Sequence, residues 1–272
     1  MKSICLFGKD HCRYSEFTFT DKSSTFASIS VGSDQNSPSL KYKGTPGSKT
    51  VVFNEDALFA YDDGTYCIHA VADAHFGYTS SHDAIKQLAN TVLQKFPQNF
   101  DDLDDCFENV DMSSASLSET TLLIVVFHRK TRTGFGVSVG DSTLLCVAAD
   151  KIQRLNPQSN RYINIHHTHR PIFTPAERFH FTAPANSLLL SFTDGIDECN
   201  YRNPKRSIRK KHFRKLFEKY NCSPQKYGRG LMQLALQGVS LNKGGQDNIA
   251  LIISSMNANP FIPFDQLTSE RR

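Results

Sequence analysis

Four aspartates stand at the ends of apolar, strand-length runs, and they constrain the fold more than any other feature of the chain. They are Asp73, Asp141, Asp194 and Asp247. The first three end a run, the fourth opens one, and all lie far apart in the sequence. Only a fold that gathers several strand ends at one edge brings such residues together. A cluster of carboxylates at that edge is suited to hold hard cations.

Apolar runs and helical patterns occur in blocks along the chain instead of alternating strictly. Seven strands are predicted, over residues 53–61, 66–72, 121–127, 133–139, 143–148, 187–192 and 249–254. Three helices are predicted, over 85–96 with Ser80 and Asp83 as a capping pair ahead of it, over 208–220, and from Ser223-Pro224 to about Gly238. A doubly wound parallel sheet needs more helices than these. We therefore predict an α+β fold in which helices cover antiparallel sheets.

The length and the charge of the chain limit the classes of protein that fit. The 272 residues suffice for one large domain or two small ones with a full core. We expect a single domain with its motif-bearing part over about 50–254, a strand and loop extension over 1–49 and an irregular tail over 256–272. The formal charge of +4 defines no class of partner by itself. We expect a monomer that binds no nucleic acid.

The cysteines and the apolar runs indicate in which compartment the protein is expected. The seven cysteines are odd in number and form no Cys-x-x-Cys pair, which favours a reducing compartment over a disulfide framework. The apolar run near Met1 is too brief for the core of a signal peptide. The longest apolar run, 122–127, has the length of a strand and is far shorter than a membrane span. We expect a cytoplasmic protein without a membrane span.

Strand parity places the aspartates at the rims of buried faces. Side chains alternate across a strand, so Asp141 shares a face with Val137 and Val139, and Asp247 shares one with Ile249. We expect both carboxylates to point toward the interior of the fold. An unpaired carboxylate there costs on the order of several kcal/mol, and several that converge repel one another and raise their pKa values. A divalent cation relieves both effects.

The types of residue in this set favour a particular chemistry. Oxygen ligands without His or Cys at metal spacing point to Mg²⁺ or Mn²⁺ rather than to Zn²⁺ or copper. Two such ions, roughly 3.5–4 Å apart, activate a bound hydroxide for the hydrolysis of phosphoesters. The reaction also needs an acid for the leaving group, and His75 lies two residues after Asp73. The alternative for each aspartate taken singly is an ordinary turn or cap residue.

Six short motifs follow one another along the chain. They are Asn54-Glu55-Asp56-Ala57, Ala72-Asp73-Ala74-His75-Phe76-Gly77, Thr120-Thr121, Gly140-Asp141-Ser142, Thr193-Asp194-Gly195 and Asp247-Asn248. Each is common alone, but their order over about 50–254 resembles that of the metal-dependent serine/threonine protein phosphatases of the PPM, or 2C-type, family. The resemblance implies a sandwich of two antiparallel β-sheets flanked by α-helices, with a two-metal centre at one end.

The resemblance also implies which residues hold the metal ions. By analogy, Asp73 bridges two Mn²⁺ or Mg²⁺ ions, and the carbonyl of Ala74 supports one of them. Asp194 and Asp247 complete the site of the other ion. Asp141 resembles the residue that recruits a weaker third ion.

Three further roles follow from the same resemblance. Glu55 would hold metal-bound water, Asp56 would orient the residues that touch the ions, and His75 matches the general acid. Water that bridges the two ions would attack the phosphorus directly, so no phosphoenzyme forms. The implied activity is that of a protein-serine/threonine phosphatase in signalling, with phosphoproteins as substrates.

The chain departs from the family pattern at three positions. Ala74 and Glu119 stand where the family usually has glycine, and Val51 stands where an arginine usually grips the substrate phosphate. Lys49 lies close enough to substitute, as a point charge without the bidentate fork of arginine. The departures at Val51 and Glu119 leave open a catalytically weak or inactive relative that works as a binding or regulatory module. A third alternative, a hydrolase of small phosphorylated metabolites or nucleotides, has no Gly-rich phosphate loop in its favour.

Two polar segments carry further hypotheses. The basic run from Arg202 to Lys215 fits a solvated helix face, and it also fits a surface that attracts acidic phosphosubstrates or an anionic surface. His166, His167 and His169 lie in a polar segment without further zinc ligands at a recognised spacing. We expect a flap over the active site there rather than a zinc site.

Overall fold

Two antiparallel β-sheets pack face to face at the centre of the protein. The computed structural model describes residues 2–11, 15–18, 24–32, 54–106, 118–163, 176–200, 202–239 and 244–256. One sheet has seven strands and the other has six, and every pair of neighbouring strands is antiparallel. Helices cover the outer face of each sheet. The predicted α+β sandwich is therefore confirmed.

The first sheet contains the strands that carry the first two motifs. In spatial order its strands are β1 (Lys2–Phe7), β4 (Asp56–Asp62), β5 (Tyr66–His75), β7 (Leu122–His128), β8 (Thr133–Val139) and β11 (Glu177–Thr182), with the short β6 (Glu119–Thr120) beside the end of β5. The predicted strands in this region match β4, β5, β7 and β8 to within a few residues. The strand β11 was not predicted, because it is short and has only two apolar residues, Phe179 and Phe181, among polar and charged ones.

The second sheet carries the last two motifs. In spatial order its strands are β10 (Ile152–Arg154), β9 (Thr143–Val147), β12 (Leu188–Phe192), β13 (Ile249–Ser255), β3 (Thr25–Ser30) and β2 (Ser15–Thr18). The predicted strands here match β9, β12 and β13. Strands β1, β2 and β3 come from the predicted N-terminal extension and join both sheets. All six residues of β3 are buried, although three of them are Ser or Thr.

Two pairs of helices cover the sandwich. Helices α1 (Thr79–Gln94) and α2 (Phe100–Asp105) cover the first sheet, and α3 (Lys210–Tyr220) and α4 (Pro224–Gln237) cover the second. Helix α4 begins after Ser223 and ends at Gly238, as predicted. The predicted capping pair of α1 was wrong, since Tyr78 is the N-cap residue and Ser80 lies in the first turn. The backbone N–H of Ser80 donates instead to Ser118 Oγ, at 3.1 Å.

Three apolar cores follow from this layering. The core between the sheets includes Leu58, Val71, Leu123 and Ile252. The face that Val137 and Val139 share lies in the core beneath α1 and α2, and the face of Ile249 and Leu251 lies against α3 and α4. Strand parity therefore predicted buried faces correctly, but those faces are covered by helices. Alternation along one strand cannot tell which layer covers a face, because both layers are apolar.

Two further findings concern the membrane and the thiols. Within the described ranges, no helix has both the length and the apolarity that a membrane span requires. The six cysteines of the same ranges, at positions 5, 67, 106, 146, 199 and 222, are free thiols.

Candidate metal centre

Two aspartates of the first sheet lie side by side at one end of the sandwich. Asp56 opens β4 and is paired in register with Asp73 near the end of β5. Both side chains lie on the same faces of their strands as Leu58 and Val71, which belong to the core between the sheets. The two carboxyl groups are thus directed into the gap between the sheets at its open end. Asp56 is buried and Asp73 is half-buried.

Thr193 connects this pair to the second sheet. Its hydroxyl donates to Asp56 Oδ2 at 2.7 Å and accepts from the backbone N–H of Ala250 at 2.9 Å. The next residue is Asp194. A Cβ atom at Gly195 would lie 1.8 Å from the carbonyl oxygen of Asn248. Glycine is therefore required there, because the segment with Asp194 passes directly over the segment that carries Asp247-Asn248.

Thr121 fixes the backbone of Asp73. The N–H of Asp73 donates to Thr121 Oγ1 at 3.0 Å, and the N–H of Thr121 donates to the Asp73 carbonyl at 2.8 Å. The Thr121 hydroxyl also lies 2.9 Å from Ser142 Oγ, in the turn that carries Asp141. Gly140 has a φ of 95°, and a Cβ there would lie 2.6 Å from Thr121. The paired threonines and the Gly-Asp-Ser turn thus hold Asp141 beside the end of β5.

Glu55 is held by the glycine turn that follows β5. The N–H of Gly77 donates to Glu55 Oε1 at 2.6 Å, and the Ser81 hydroxyl donates to the Glu55 carbonyl at 2.5 Å. Burial raises the pKa of Glu55 to about 7, against the lowering effect of the Gly77 hydrogen bond and with a contribution from the charge of Asp247. The Asn-Glu-Asp motif and the Asp-x-His-x-Gly motif therefore meet at this end of the sandwich.

The carboxylates at this end perturb one another. Burial raises the pKa of Asp56, Asp73 and Asp194 well above the usual range. The negative charges of neighbouring carboxylates add to this effect, including that of Asp247 on all three and that of Asp141 on Asp73 and Asp194. Six of the predicted metal-site residues, Glu55 among them, therefore lie within electrostatic reach of one another.

The same end of the sandwich has a deficit of positive charge. Among the ion pairs of the described ranges, none involves Asp56, Asp73 or Asp194. Asp56 Oδ1 and Asn248 Oδ1 are buried, and no hydrogen-bond donor in those ranges reaches them. Buried acceptors and carboxylates without a cation are unfavourable unless protons or an ion compensate them. The residues present therefore fit a divalent cation with oxygen ligands.

The arrangement fits a hydrated ion better than a closed cage. In the described part of the chain, no three His, Cys, Asp or Glu side chains are already gathered around one ion position. Mg²⁺ usually keeps several waters and is bound through one or two carboxylates, so it needs no such cage. Zinc sites, by contrast, gather three or four N or S ligands. The oxygen donors at the open end thus suit Mg²⁺ or Mn²⁺.

Three aromatic rings line the rim of the centre. His75 ends β5, and its ring meets the ring of Tyr162 edge-on, with 4.8 Å between the centroids. Burial raises the pKa of Tyr162, and the charges of Asp141, Asp73 and Asp194 add to this. Tyr162 thus lies beside both the carboxylates and His75. On the other side, the ring centroid of Phe76 is 6.4 Å from that of His75.

Sequence reasoning missed several residues at this site. Tyr162 follows no recognisable motif, and it is brought to the centre by the antiparallel bridge between Thr120 and Ile163 and by hydrogen bonds between Ser159 and Gly140. Asp197 follows the Thr-Asp-Gly motif by two residues, and this spacing within one turn was the available signal. Burial raises the pKa of Asp197 to about 6 despite Arg154, whose guanidinium lies 3.8 Å from its carboxylate.

Of the remaining predicted positions, the structure describes Ala74 and Glu119 but not the others. Ala74 is buried in β5 opposite Thr120 and is not among the residues with positive φ, so no glycine is required there. Glu119 lies in β6 opposite His75. Lys49 and Val51 lie outside the described residues, as does the segment with the three histidines at 166, 167 and 169. Their predicted roles stay predictions.

Comparison with known proteins assigns the chain to a family. The model of the family described as "Stage II sporulation protein E (SpoIIE)" matches residues 68–257. The chain belongs to the SpoIIE family. This family is PP2C-like, so the predicted resemblance to 2C-type phosphatases is confirmed. No curated protein sequence matches the chain at a significant level.

Solved structures show the same fold at low sequence identity. A bacterial serine phosphatase is 15% identical with a TM-score of 0.58, covering 91% of this chain and 98% of its own. The serine threonine protein phosphatase PstP, in complex with two manganese ions, is 14% identical with a TM-score of 0.57, covering 93% and 99%. RsbX in complex with magnesium is 14% identical with a TM-score of 0.55, covering 88% and 98%. The SpoIIE-family chain therefore has the fold of PPM-type serine/threonine phosphatases.

Proposed function

We propose that this SpoIIE-family protein is a Mn²⁺- or Mg²⁺-dependent phosphatase of phosphoserine and phosphothreonine in proteins. The observation that carries the proposal is the group of uncompensated carboxylates at the open end of the sandwich. A protein that only binds a partner has no physical need to keep such repelling groups in place. The solved relatives with manganese or magnesium bound support the choice of cation.

The proposed ligands come from both sheets. Asp73 and the Ala74 carbonyl would contribute from the first sheet, and Asp194 and Asp247 from the second. Asp141 would take a further, weaker ion. When bound, the cations lower the pKa of a coordinated water and draw negative charge from the phosphoryl group.

The chain's own residues would position and move protons around that centre. Thr193 holds the Asp56 carboxyl, and Gly77 holds that of Glu55, so both carboxyl groups would be oriented before substrate binds. His75 stands at the rim, where it can protonate the leaving oxygen of serine or threonine. Tyr162 limits the orientations of the His75 ring by its edge-on contact. No Ser or Cys nucleophile is needed in this scheme.

One assay separates this proposal from the alternative of an inactive binding module. We expect the purified protein to hydrolyse an aryl phosphate and a phosphothreonine peptide with Mn²⁺ or Mg²⁺, and to lose both activities in chelator. The matched control is Asp150→Asn, which changes an exposed acid in a turn away from the centre and should keep full activity. Binding of Mn²⁺ by titration calorimetry without turnover of either substrate would favour the inactive module.

The proposed role of His75 has its own test. A nitrophenolate leaving group needs little protonation, whereas a serine or threonine alkoxide needs a full proton. We therefore expect His75→Gln to lower kcat on the peptide by on the order of 10²-fold or more, and to change kcat on the aryl phosphate much less. An equal loss on both substrates would exclude a role as the leaving-group acid.

The phosphate-binding role of Lys49 stays a prediction. We expect Lys49→Ala to raise KM for the phosphopeptide without a matching change in kcat, because a lysine that grips the phosphate contributes mostly to substrate binding. A variant with unchanged KM would show that another cation binds the phosphate. Lys49→Arg is the conservative control.

A further inference from the structure

Positive charge is concentrated in one short stretch of the chain. Nine of the 31 Lys and Arg residues lie between positions 202 and 219, together with a single acid, Glu218. The rest of the chain holds 22 basic and 26 acidic residues and is therefore net negative. Such segregation produces a local field that a mixed surface does not have. We define the basic surface as Lys205, Arg206, Lys210, Lys211, Arg214 and Lys215.

All six side chains of the basic surface are exposed. Helix α3 is oriented by Phe213 and Phe217, which are buried in the core against the second sheet, so its opposite side faces solvent. No Asp or Glu in the described ranges forms an ion pair with Lys210, Lys211, Arg214 or Lys215. Like charges this close on one helix are mildly destabilising.

The positive charges of this region affect the pKa of a neighbouring side chain. His212 lies in the first turn of α3. Burial lowers its pKa, and the charges of Lys211, Lys215 and Arg209 lower it further. The cations of this surface are therefore close enough together to act on one group.

Hydrogen bonds link the segments next to this surface with the segments that carry the carboxylate centre. The N–H of Arg202 donates to Gln246 Oε1 at 3.0 Å, and Gln246 directly precedes Asp247. The N–H of Asn200 donates to Ser207 Oγ at 2.9 Å, which ties the segment after Asp194 to the start of the surface. The cations therefore begin beside the segments that hold two of the proposed metal ligands.

The make-up of the surface favours a protein ligand over a membrane or a nucleic acid. The large apolar side chains that are exposed in the described ranges are Phe76 and Leu93, and neither belongs to the basic surface. Membrane insertion uses such side chains, and single-stranded nucleic acid stacks on exposed aromatic rings. The aromatic residues of α3 that are buried, Phe213 and Phe217, are turned away from solvent. Anionic headgroups and duplex phosphates, like an acidic peptide, need only cations, so the position of the surface beside the carboxylate centre is what favours an acidic segment of the substrate.

We propose that the basic surface binds an acidic segment, rich in Asp and Glu, in the phosphoprotein whose phosphorylated residue enters the carboxylate centre. This inference rests on the proposed phosphatase function and adds a substrate class to it. Attraction at long range would raise the rate of encounter, and it would weaken as salt screens the charges. A substrate with a neutral flank gains nothing from this surface.

The test compares two triple variants with the same change in charge. Lys210→Gln/Lys211→Gln/Arg214→Gln removes charge from the basic surface. Lys86→Gln/Lys130→Gln/Lys151→Gln removes three exposed charges elsewhere and is the matched control. Peptide binding is measured by fluorescence anisotropy in chelator at about 50 mM salt, with one Asp/Glu-rich peptide and one neutral peptide. Hydrolysis of an aryl phosphate is measured in parallel with Mn²⁺.

We expect the first variant to bind the acidic peptide roughly tenfold more weakly than the unmodified protein. The affinity of the control variant for this peptide should change less than about twofold. Both variants should hydrolyse the aryl phosphate as the unmodified protein does. Equal losses in both variants, or no binding of the acidic peptide at all, would overturn the inference. A first variant that keeps peptide binding but loses binding to phosphatidylserine vesicles or to a polynucleotide would also overturn it. Acidic peptide bound without any phosphatase activity would refute the proposed function and leave the binding surface standing.

Discussion

Strand β4 begins and ends with an aspartate, and the pKa values of the two are shifted in opposite directions. Asp56 and Asp62 lie on the same face of the strand as Leu58 and Ala60, directed between the two sheets. Both are buried. The pKa of Asp56 is raised well above its usual range, whereas that of Asp62 is lowered. Burial alone therefore does not decide the state of a carboxyl group in this sandwich.

At the Asp62 end, the carboxylate has a full set of partners. Arg129 Nη2 lies 2.6 Å from Asp62 Oδ2, and the Thr25 hydroxyl donates to the same oxygen at 2.7 Å. Burial raises the pKa of Asp62, but the charge of Arg129 outweighs it together with hydrogen bonds from Thr25, Gly64 and Ser24. Arg129 also donates to the carbonyl of Ser255, so it links the two sheets. This end is a structural ion pair.

At the Asp56 end, the partners are other carboxylates. Thr193 donates one hydrogen bond, and the charges of Asp194 and Asp247 oppose ionisation. A mixture of burial and like charges is typical of functional sites, because it stabilises nothing by itself. One end of the sandwich is thus held by a buried ion pair, whereas the carboxyl groups of Asp56, Asp73 and Asp194 at the other end form no ion pair within the described ranges.

The largest expected effect is on activity. Asp73→Asn should lower kcat by on the order of 10³-fold or more, because it removes the proposed bridging ligand. In chelator, the same variant should unfold at higher urea than the unmodified protein, since one of the repelling charges is gone. Activity retained by this variant would contradict the two-metal proposal. A lower free energy of unfolding would contradict the description of Asp73 as uncompensated.

The next effect is on stability at the other end. Arg129→Met should lower the free energy of unfolding by about 3–5 kcal/mol, because it leaves the Asp62 carboxylate buried without its cation. The double variant Asp62→Asn/Arg129→Met should recover part of the loss. Urea unfolding followed by circular dichroism measures both. If the single variant unfolds like the unmodified protein, the ion pair contributes no net stability.

An effect of intermediate size is expected on the pH dependence of stability, and it should come from Glu55. The pKa of Glu55 is about 7 in the folded protein, above the value of 4.5 for an unperturbed glutamate. In chelator, the charged form is therefore unfavourable above pH 7, and this penalty disappears as the pH falls toward 4.5. As the pH falls from 7 to 4.5, the free energy of unfolding of the unmodified protein should rise by on the order of 1–3 kcal/mol relative to that of Glu55→Gln. A difference that does not change with pH would show that Glu55 is not perturbed.

Metal binding should reverse the sign of that pH dependence. Ligating and water-holding carboxylates must be ionised, so the affinity for Mn²⁺ should rise between pH 5 and about 7.5. Calorimetric titrations at several pH values test this. An affinity independent of pH would argue against these carboxyl groups as the ion's ligands.

The smallest expected effect concerns the rim. Phe76 has a φ of 63° and is 69% exposed, so its side chain gains little from packing while its backbone is strained. Phe76→Asn should raise the free energy of unfolding by about 1 kcal/mol, because asparagine adopts this conformation more readily. Thermal unfolding in chelator measures the change, and Leu93→Asn, at an exposed helical position, is the control. A loss of stability would show that the ring makes contacts that outweigh the strain.

Much of the fold could be predicted because its patterns are local. Strands such as Leu122–His128 are continuous apolar runs, and α4 begins with Ser223-Pro224 and ends at Gly238. The strands that were missed lack such patterns. In Thr25–Ser30, three hydroxyl residues interrupt the apolar ones, yet the whole strand is buried, and the Thr25 hydroxyl is paired with that of Ser254 in the neighbouring strand β13.

The sequence predicted which residues form the site but not how they are brought together. The order of short motifs indicated which aspartates matter, and the structure brings Asp56 and Asp73 together with Asp194 and Asp247. Nothing local pointed to Tyr162, which reaches His75 through the pairing of its loop with the strand that precedes β7. Proximity across long sequence separations depends on the register of the sheets, which short patterns do not specify.

The sequence by itself determined the strands and helices of the central motifs, the family, and the oxygen-rich character of the site, because each depends on neighbouring residues or on motif order. Motif order marked Asp56 for the site, but no local pattern showed that Asp62, on the same face at the other end of the strand, is neutralised. Only the tertiary structure decided that, since Arg129 is 67 residues away from Asp62 and reaches it through the sheet. A buried carboxylate is structural or reactive according to whether a distant partner neutralises it.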